Sequence, residues 1–396
     1  MRSRSNRAQR FAERSEPTEA RERLERRWAG RLAEEPRLAT LVTSDGARRE
    51  PIHRWLPYRQ GFSPGLVRLF LKENAHIRRG DPACRVLDPF SGSGTCVVEC
   101  ARQGVHAIGV EALSSLVFLA AAKFERAWPP LPELPDSSNW ERIAERLELP
   151  IHRAALMLAE ARRHTAEGRP HRGAGPIVET LAEVAAMIRD DMCHPLALVN
   201  PSITGDARHL DSVDDESVAG IVTSPPYLSR YDYTKINNPL ETVYRFWFGR
   251  DDAPAPRDQV RATQRGSARR EGVESTHEAA AESADALEAL GQMKLARVVR
   301  DYFHDLSQVL DESRRVMRSC GVAWFIVGGA RIKEVYVPAD LIVAELAENS
   351  GFEVQSIRAA RDLAPSRRKF GRVGYVAPRE SVVVMTRSQR RQSNRP

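Results

Sequence analysis

The stretch Cys84–Thr95, CRVLDPFSGSGT, decides how the rest of the chain is read. Its first half is a short apolar run of strand-forming texture, and its second half carries two glycines one residue apart. Gly92 and Gly94 let the backbone turn tightly and lie against a ligand. The residues from Cys96 to Gln103 read as a helix, whose first N–H groups are free to meet a carboxylate or phosphate. Beyond it HAIGVEA (106–112) predicts a second strand, and a further helix runs through Phe124. Strand, glycine turn, helix, strand, helix is the opening of a doubly wound, mostly parallel α/β sheet. Two familiar nucleotide turns are excluded. No Gly-Lys-Ser/Thr follows, and Val97 stands where the dinucleotide form has its third glycine.

Upstream, FSPGLVRLFLKENAHI (62–77) predicts a helix with Ser63 as its cap and Pro64 at its first position. Residues 1–50 read as a basic N-terminal arm with one amphipathic helix around Arg21–Ala33. Downstream, WPPLPELPD (128–136) breaks the pattern with four prolines, and residues 139–192 read as three amphipathic helices. Strand signals resume at Gly205–Leu210 and Gly220–Thr223. An aromatic-rich segment follows (231–249), then an Arg-rich stretch (251–270) and an acidic one (271–288), of which 251–275 read as a surface loop. The chain closes with a helix through Met317, a buried strand VAWFIVGG (322–329), a helix ended by Gly351, two strands (EVQSIRA, SVVVMTR) and a polar tail. The organisation expected is an arm (1–50), a core half (51–130), a helical insertion (131–204) and core strands with a loop (205–228). An aromatic and Arg-rich insertion (229–295), a C-terminal core half (296–387) and a basic tail (388–396) complete it.

Composition narrows the function classes. The chain has 396 residues, 42% of them hydrophobic, enough for a sizeable core. Its longest apolar stretch, Leu113–Ala122, is too short to span a bilayer. The N-terminus lacks the apolar segment of a secretory signal, so a cytoplasmic protein is expected. Five cysteines in this length exclude a disulfide scaffold. Cys96 and Cys100, one helical turn apart with no histidine pair nearby, read as core rather than as a zinc site, and no metal is expected. The net charge of +7 is uneven. Gly351–Pro396 holds eleven basic residues against three acidic, and Arg257–Arg270 five arginines against one aspartate. A polyanion such as nucleic acid fits both patches. Only six of the 60 basic residues are lysine, however, so a general preference for arginine explains part of this excess.

Three further features carry chemistry. Glu111 ends the second predicted strand, where a doubly wound site places an acid for ribose hydroxyls. Asp206, in GDARHL, is the analogous acid for an adenine, although an Asp after Gly is equally a turn former. Thr223-Ser224-Pro225-Pro226-Tyr227 follows the strand GIV directly. Its prolines stiffen a loop at the mouth of the sheet. The Pro225 carbonyl and the Ser224 hydroxyl offer an acceptor pair for an amine, beside the flat ring of Tyr227.

DPFSGSGT together with TSPPY resembles the motif I and motif IV pair of S-adenosylmethionine-dependent DNA amino-methyltransferases. The SPPY spelling most resembles the N4-cytosine enzymes, while N6-adenine enzymes more often carry DPPY. The resemblance covers roughly residues 51–130, 205–230 and 296–386, and FSPGLV resembles the family's motif X. It implies that Phe62, Asp88, Pro89, Phe90, Gly92, Gly94, Thr95, Glu111 and Asp206 bind the cofactor. Ser224, Pro225, Pro226 and Tyr227 become the target-base site. It also implies a class I Rossmann-like methyltransferase fold, double-stranded DNA as substrate, S-adenosylmethionine as cofactor and a cognate restriction endonuclease as a further partner. Motif I precedes motif IV, which excludes the permuted order. The 94 residues from Glu111 to Gly205 exceed one crossover helix, hence the insertion. Ring-carbon methylation is set aside, because it needs a cysteine after proline and the chain has no Pro-Cys dipeptide. N6-adenine methylation, RNA base-amine methylation and an inactive nucleic-acid-binding subunit stay open as alternatives; the retained Gly92, Gly94 and Tyr227 count against the last.

Overall fold

The computed structural model describes residues 19–56, 61–135, 139–164, 171, 175–194, 196–229, 233–249, 260–262, 277–333, 335–363 and 378–387. Along the chain come α1 (Glu19–Trp28), β1 (Leu32–Glu34), α2 (Pro64–Glu73), β2 (Val86–Asp88), α3 (Thr95–Arg102), β3 (Ala107–Glu111) and α4 (Ser114–Ala122). Then follow α5 (Trp140–Ala144), α6 (Pro150–Arg162), α7 (Ile177–Asp191), β4 (Ser202–Thr204), β5 (Val218–Thr223) and α8 (Tyr233–Phe248). The last part holds α9 (Glu278–Ala289), α10 (Met293–Val316), β6 (Met317–Gly328), β7 (Ala330–Ile332) and β8 (Val335–Val337). It ends with α11 (Ala339–Asn349), β9 (Phe352–Asp362) and β10 (Arg379–Arg387). These elements fall into two compact units. One draws on residues 1–39, 208–231 and 259–396, the other on 40–207 and 232–258.

The first unit contains strands in the order β1-β9-β10-β6-β5. β5 runs parallel to β6, and β1 parallel to β9, while β10 is antiparallel to both its neighbours. Every residue of β5 (VAGIVT) is buried, as expected of a parallel strand covered on both faces. Of the stretch read as an arm, residues 19–39 enter this unit, and residues 40–50 belong to the other. Trp28 is buried on α1, and Leu32 pairs with Ile357.

The second unit carries the parallel set β2-β3-β4. Ser63 Oγ accepts the Gly65 N–H at 3.2 Å and Pro64 opens α2, as the sequence predicts. One strand is displaced from expectation. The signal at Gly205–Leu210 is occupied by a two-residue turn at 207–208 between single bridge residues Asp206 and His209, and the strand lies at Ser202–Thr204. The reason is the length of its partner. Gly109 pairs with Ser202 and Glu111 with Thr204, and the Gly205 N–H bonds the Glu111 carbonyl just where β3 ends. The expected doubly wound α/β class, with mostly parallel strands alternating with helices, is the class observed.

Between β3 and β4 the three expected helices form as α5, α6 and α7. The aromatic-rich stretch is α8, and its rings serve packing. Trp247 Nε1 donates to the Ala144 carbonyl at 3.1 Å, and Phe118 meets Tyr244 and Phe248 at 5.9 and 5.5 Å between centroids. Arg153 stands over Trp247, 5.3 Å from the ring centre. At the end of α7 the fully buried Asp191 carboxylate accepts from the Ile52 N–H (2.7 Å), Trp55 Nε1 (2.9 Å) and Arg54 Nη2 (2.7 Å). Ile52 has φ +70°, a left-handed backbone that a β-branched residue adopts only under constraint. The insertion thus fastens the chain just ahead of α2. No helix among the described residues is long and apolar enough to cross a membrane.

Removing the Asp191 carboxylate leaves buried donors unmet and releases Ile52. Asp191→Ala should therefore lower stability by about 2–4 kcal/mol, read from urea denaturation. A midpoint unchanged from wild type would show that the 52–55 turn holds itself.

Candidate active site

In the second unit, the turn between β2 and α3 is held by four of its backbone amides. Phe90 N–H donates to Asp88 Oδ1 (3.1 Å), Ser91 N–H to the Val110 carbonyl (3.0 Å), and Gly94 N–H to the Ser91 carbonyl (2.8 Å). Gly92 N–H donates to Glu111 Oε2 at 2.9 Å, while Glu111 Oε1 accepts the Leu113 N–H at 3.0 Å. Gly94 has φ +85°, and a Cβ there would stand 2.9 Å from the Ala120 Cβ of α4. α3 starts at Thr95 with no side-chain cap, so its first amides are not claimed by a capping side chain. Asp88, Pro89, Gly92 and Gly94 are buried, and Phe90 and Thr95 half-buried. The turn therefore presents backbone donors and an acid, with no room for bulk on its inner side.

Although part of Glu111 reaches solvent, burial pushes its carboxyl above the usual range. The nearby Glu241 charge acts in the same direction, and the amides of Leu113, Gly92 and Ala112 oppose both. Glu241, on α8, is itself buried and accepts a hydrogen bond from Ser115 Oγ. Phe62 is buried at the entrance of α2, and Asp206 is half-buried just beyond β4. The residues matched to a cofactor site all belong to this second unit.

Residues not foreseen in the sequence support this turn. Lys123, 3% exposed at the end of α4, donates through Nζ to the Ser93 carbonyl at 2.6 Å. Desolvation brings its pKa down to about 7. Gly109 on β3 is required by contact, since a Cβ would lie 2.7 Å from the Ser91 Cβ. The rarity of lysine in this chain is the only sequence signal that marks Lys123.

The Ser224–Tyr227 loop belongs to the first unit. It leaves β5 at the buried Thr223, which pairs with Phe325 of β6. Ser224 and Pro226 are half-buried and Pro225 buried. Ser224 Oγ stands 3.5 Å from the Tyr227 hydroxyl, the outer limit of a hydrogen bond. Tyr227, 8% exposed, lays its ring against Gly328 of β6. A Cβ at 328 would be 2.6 Å from Tyr227 Cδ2. The second of the two units thus gathers the cofactor set, and the first gathers the target-base set.

The second unit thus carries a glycine turn after a parallel strand with an acid ending the next strand, and the first a strand-borne Ser-Pro-Pro-Tyr loop. No protein-family model matches the chain. Over 87% of its length it is 21% identical to the Type II methyltransferase M.BsoBI of Geobacillus stearothermophilus, covering 87% of that protein. Over 84% it is 22% identical to the Type II methyltransferase M.AvaI of Nostoc sp., covering 86% of it. A solved TehB-like SAM-dependent methyltransferase from Corynebacterium glutamicum aligns with 82% of this chain and 88% of its own. At 13% identity and a TM-score of 0.31, it adds nothing to the topology above. Along most of its length the chain is thus similar to Type II methyltransferases.

The lowered Lys123 pKa has a signed consequence. Between about pH 7 and the ordinary lysine value near ~10.4, the unfolded chain binds a proton that the folded chain does not. The stability of wild type relative to Lys123→Met should therefore be flat below pH 7 and rise from pH 7 toward 10. Urea midpoints of both proteins across that range check it, and a difference independent of pH would place Lys123 in solvent.

Proposed function

We propose that the protein methylates the exocyclic N4 amine of cytosine in DNA, on a base flipped out of the duplex, with S-adenosylmethionine as donor. The observation that carries this reading is the Ser224–Tyr227 loop at the end of a wholly buried parallel strand. Ser224 Oγ and the Pro225 carbonyl suit the two hydrogens of an amine. A cytosine amine is a poor nucleophile because its lone pair is conjugated with the ring. Hydrogen bonds from both its hydrogens favour a pyramidal nitrogen and free that lone pair. When bound, S-adenosylmethionine supplies a methyl carbon on a positively charged sulfur, open to in-line displacement by such a nitrogen.

The residues of the second unit fit that donor. Gly92 and Gly94 carry the positive φ values that the tight turn requires, and the first amides of α3 lack a side-chain cap. Glu111 holds the turn through the Gly92 amide and its own strand end through the Leu113 amide, and its carboxylate retains acceptor capacity suited to ribose hydroxyls. Positioning of this kind contributes about 7–11 kcal/mol to such displacements. Flipping costs a few kcal/mol, and contact with the Tyr227 ring, worth ~1–3 kcal/mol per stacked base, offsets part of that cost. The Arg-rich segments that would grip phosphate lie largely outside the described residues. A cognate restriction endonuclease belongs to the same proposal, supported by the Type II designation of the relatives.

The test is to incubate the protein with labelled cofactor and genomic DNA and identify the modified nucleoside by mass spectrometry. N4-methylcytosine is expected. N6-methyladenine would replace the base while keeping the loop's role, and label in RNA alone would replace the substrate. Tyr227→Ala should lower methyl transfer at least about 100-fold while cofactor affinity stays within about threefold. Equal loss of both would make the loop structural. Gly94→Val forces an L side chain to φ +85° against Ala120, so cofactor binding should be abolished in calorimetry. Unchanged affinity would refute the turn as the cofactor site.

A further inference from the structure

Downstream of Tyr227 the chain is held by a buried ionic network in the first unit. Asp305, in the middle of α10, is 1% exposed. Its Oδ1 accepts from Arg208 Nη1 at 3.1 Å, and its Oδ2 accepts the backbone N–H of Arg261 at 3.0 Å. One helical turn earlier, the buried Asp301 pairs with the Arg261 guanidinium. The segment Val260–Ala262 is therefore pinned to α10 through both backbone and side chain, with Val260 and Ala262 buried on either side of Arg261. The Ala262 carbonyl in turn accepts the Ser229 N–H at 2.7 Å.

Ser229 is the second residue after Tyr227, and its φ is +55°. A serine keeps this left-handed conformation only where its surroundings impose it, and such strain gathers at functional loops. Burying two carboxylates with the Arg208 guanidinium and most of Arg261 is an inefficient way to gain stability, since well-packed apolar residues commonly do as well or better. What the network adds is direction. It fixes where one carbonyl stands, and that carbonyl holds one end of a short loop whose other end is set by β5.

We infer that Arg261, Asp301 and Asp305 are positioning residues for methyl transfer, holding Val260–Ala262 as a strap that fixes the downstream end of the Ser224–Tyr227 loop. The inference rests on that loop being the target-amine site proposed above. None of the three touches the reacting atoms. They act through the Ala262 carbonyl and the Ser229 amide.

The experiment compares full-length wild type with Arg261→Gln and Asp305→Asn by hydrogen–deuterium exchange, which needs neither cofactor nor DNA. Arg261→Gln leaves the Arg208–Asp305 pair intact, so it reports on the strap even should Asp305→Asn fail to fold. In both variants the peptide spanning 224–229 should exchange at least about 10-fold faster, with β5 and β6 peptides unchanged. In methyl transfer, kcat should fall roughly 10- to 100-fold, with cofactor affinity within about twofold. Arg261→Lys should recover most of the rate. Ser229→Gly, which takes φ +55° without steric cost, should recover part of it when added to Arg261→Gln. Unchanged exchange at 224–229 overturns the inference, as does exchange that rises equally in β5 and β6, which marks a purely structural network. Faster exchange with unchanged kcat overturns the positioning role. Faster exchange in the variants of a wild-type protein that itself transfers no methyl group supports the strap and refutes the functional reading alone.

Discussion

Two places beneath the Ser91–Gly94 turn admit nothing larger than a hydrogen, and the second unit is arranged around that fact. At Gly94 the turn lies on Ala120 of α4, and at Gly109 the β3 backbone lies under Ser91. Close approach lets the Ser91 and Gly92 amides reach the end of β3, one to the Val110 carbonyl and one to the Glu111 carboxylate. It also brings Lys123, at the end of α4, within reach of the Ser93 carbonyl. A side chain at either glycine would lift the turn and break all three. The turn is rigid before any ligand arrives, and rigidity of this kind is what lets a site spend its interactions on the ligand rather than on ordering itself.

Each unit repeats one device away from its turn. A buried aspartate on an α-helix collects donors from a distant segment outside the α-helices, and a non-glycine residue in that network has a left-handed backbone. In one unit Asp191 holds Ile52, at φ +70°. In the other Asp305 and Asp301 hold the strap that meets Ser229, at φ +55°. Buried carboxylates with several directed donors are poor sources of net stability but good specifiers of one conformation. Their placement, just ahead of α2 and just after the Tyr227 loop, puts conformational specificity at segments matched to binding or chemistry.

Local pattern made much of this legible. The run from Cys84 to Glu111 shows strand, turn, helix and strand in order, because apolar runs and paired glycines are properties of neighbours in sequence. The cap at Ser63, the three insertion helices and the last strands followed for the same reason. β4 did not, since three residues, Ser202–Thr204, are too few to carry an alternation, and their register is dictated by β3. Lys123, Asp191 and Asp305 act on partners 30, 139 and 44 residues away, and no periodicity reports such contacts. The aromatic stretch shows a different limit. Its composition suits base stacking and core packing equally, and only contacts with Trp140, Phe118 and Arg153 reveal the packing.

The charges around the turn are consistent with a cationic ligand. Glu111 and Glu241 bring two carboxyls to one side, and their mutual repulsion helps keep the Glu111 proton affinity high. A bound positive charge would relieve that repulsion. Lys123, buried against the turn, would oppose such a ligand if fully charged, but burial already weakens its hold on a proton. A sulfonium donor meets both conditions, whereas a phosphate, the other common guest of a glycine turn, would face two carboxyls and a lysine whose proton affinity burial has lowered. Electrostatics therefore separates this turn from phosphate-binding turns of the same backbone shape, independently of the missing Gly-Lys-Ser/Thr sequence.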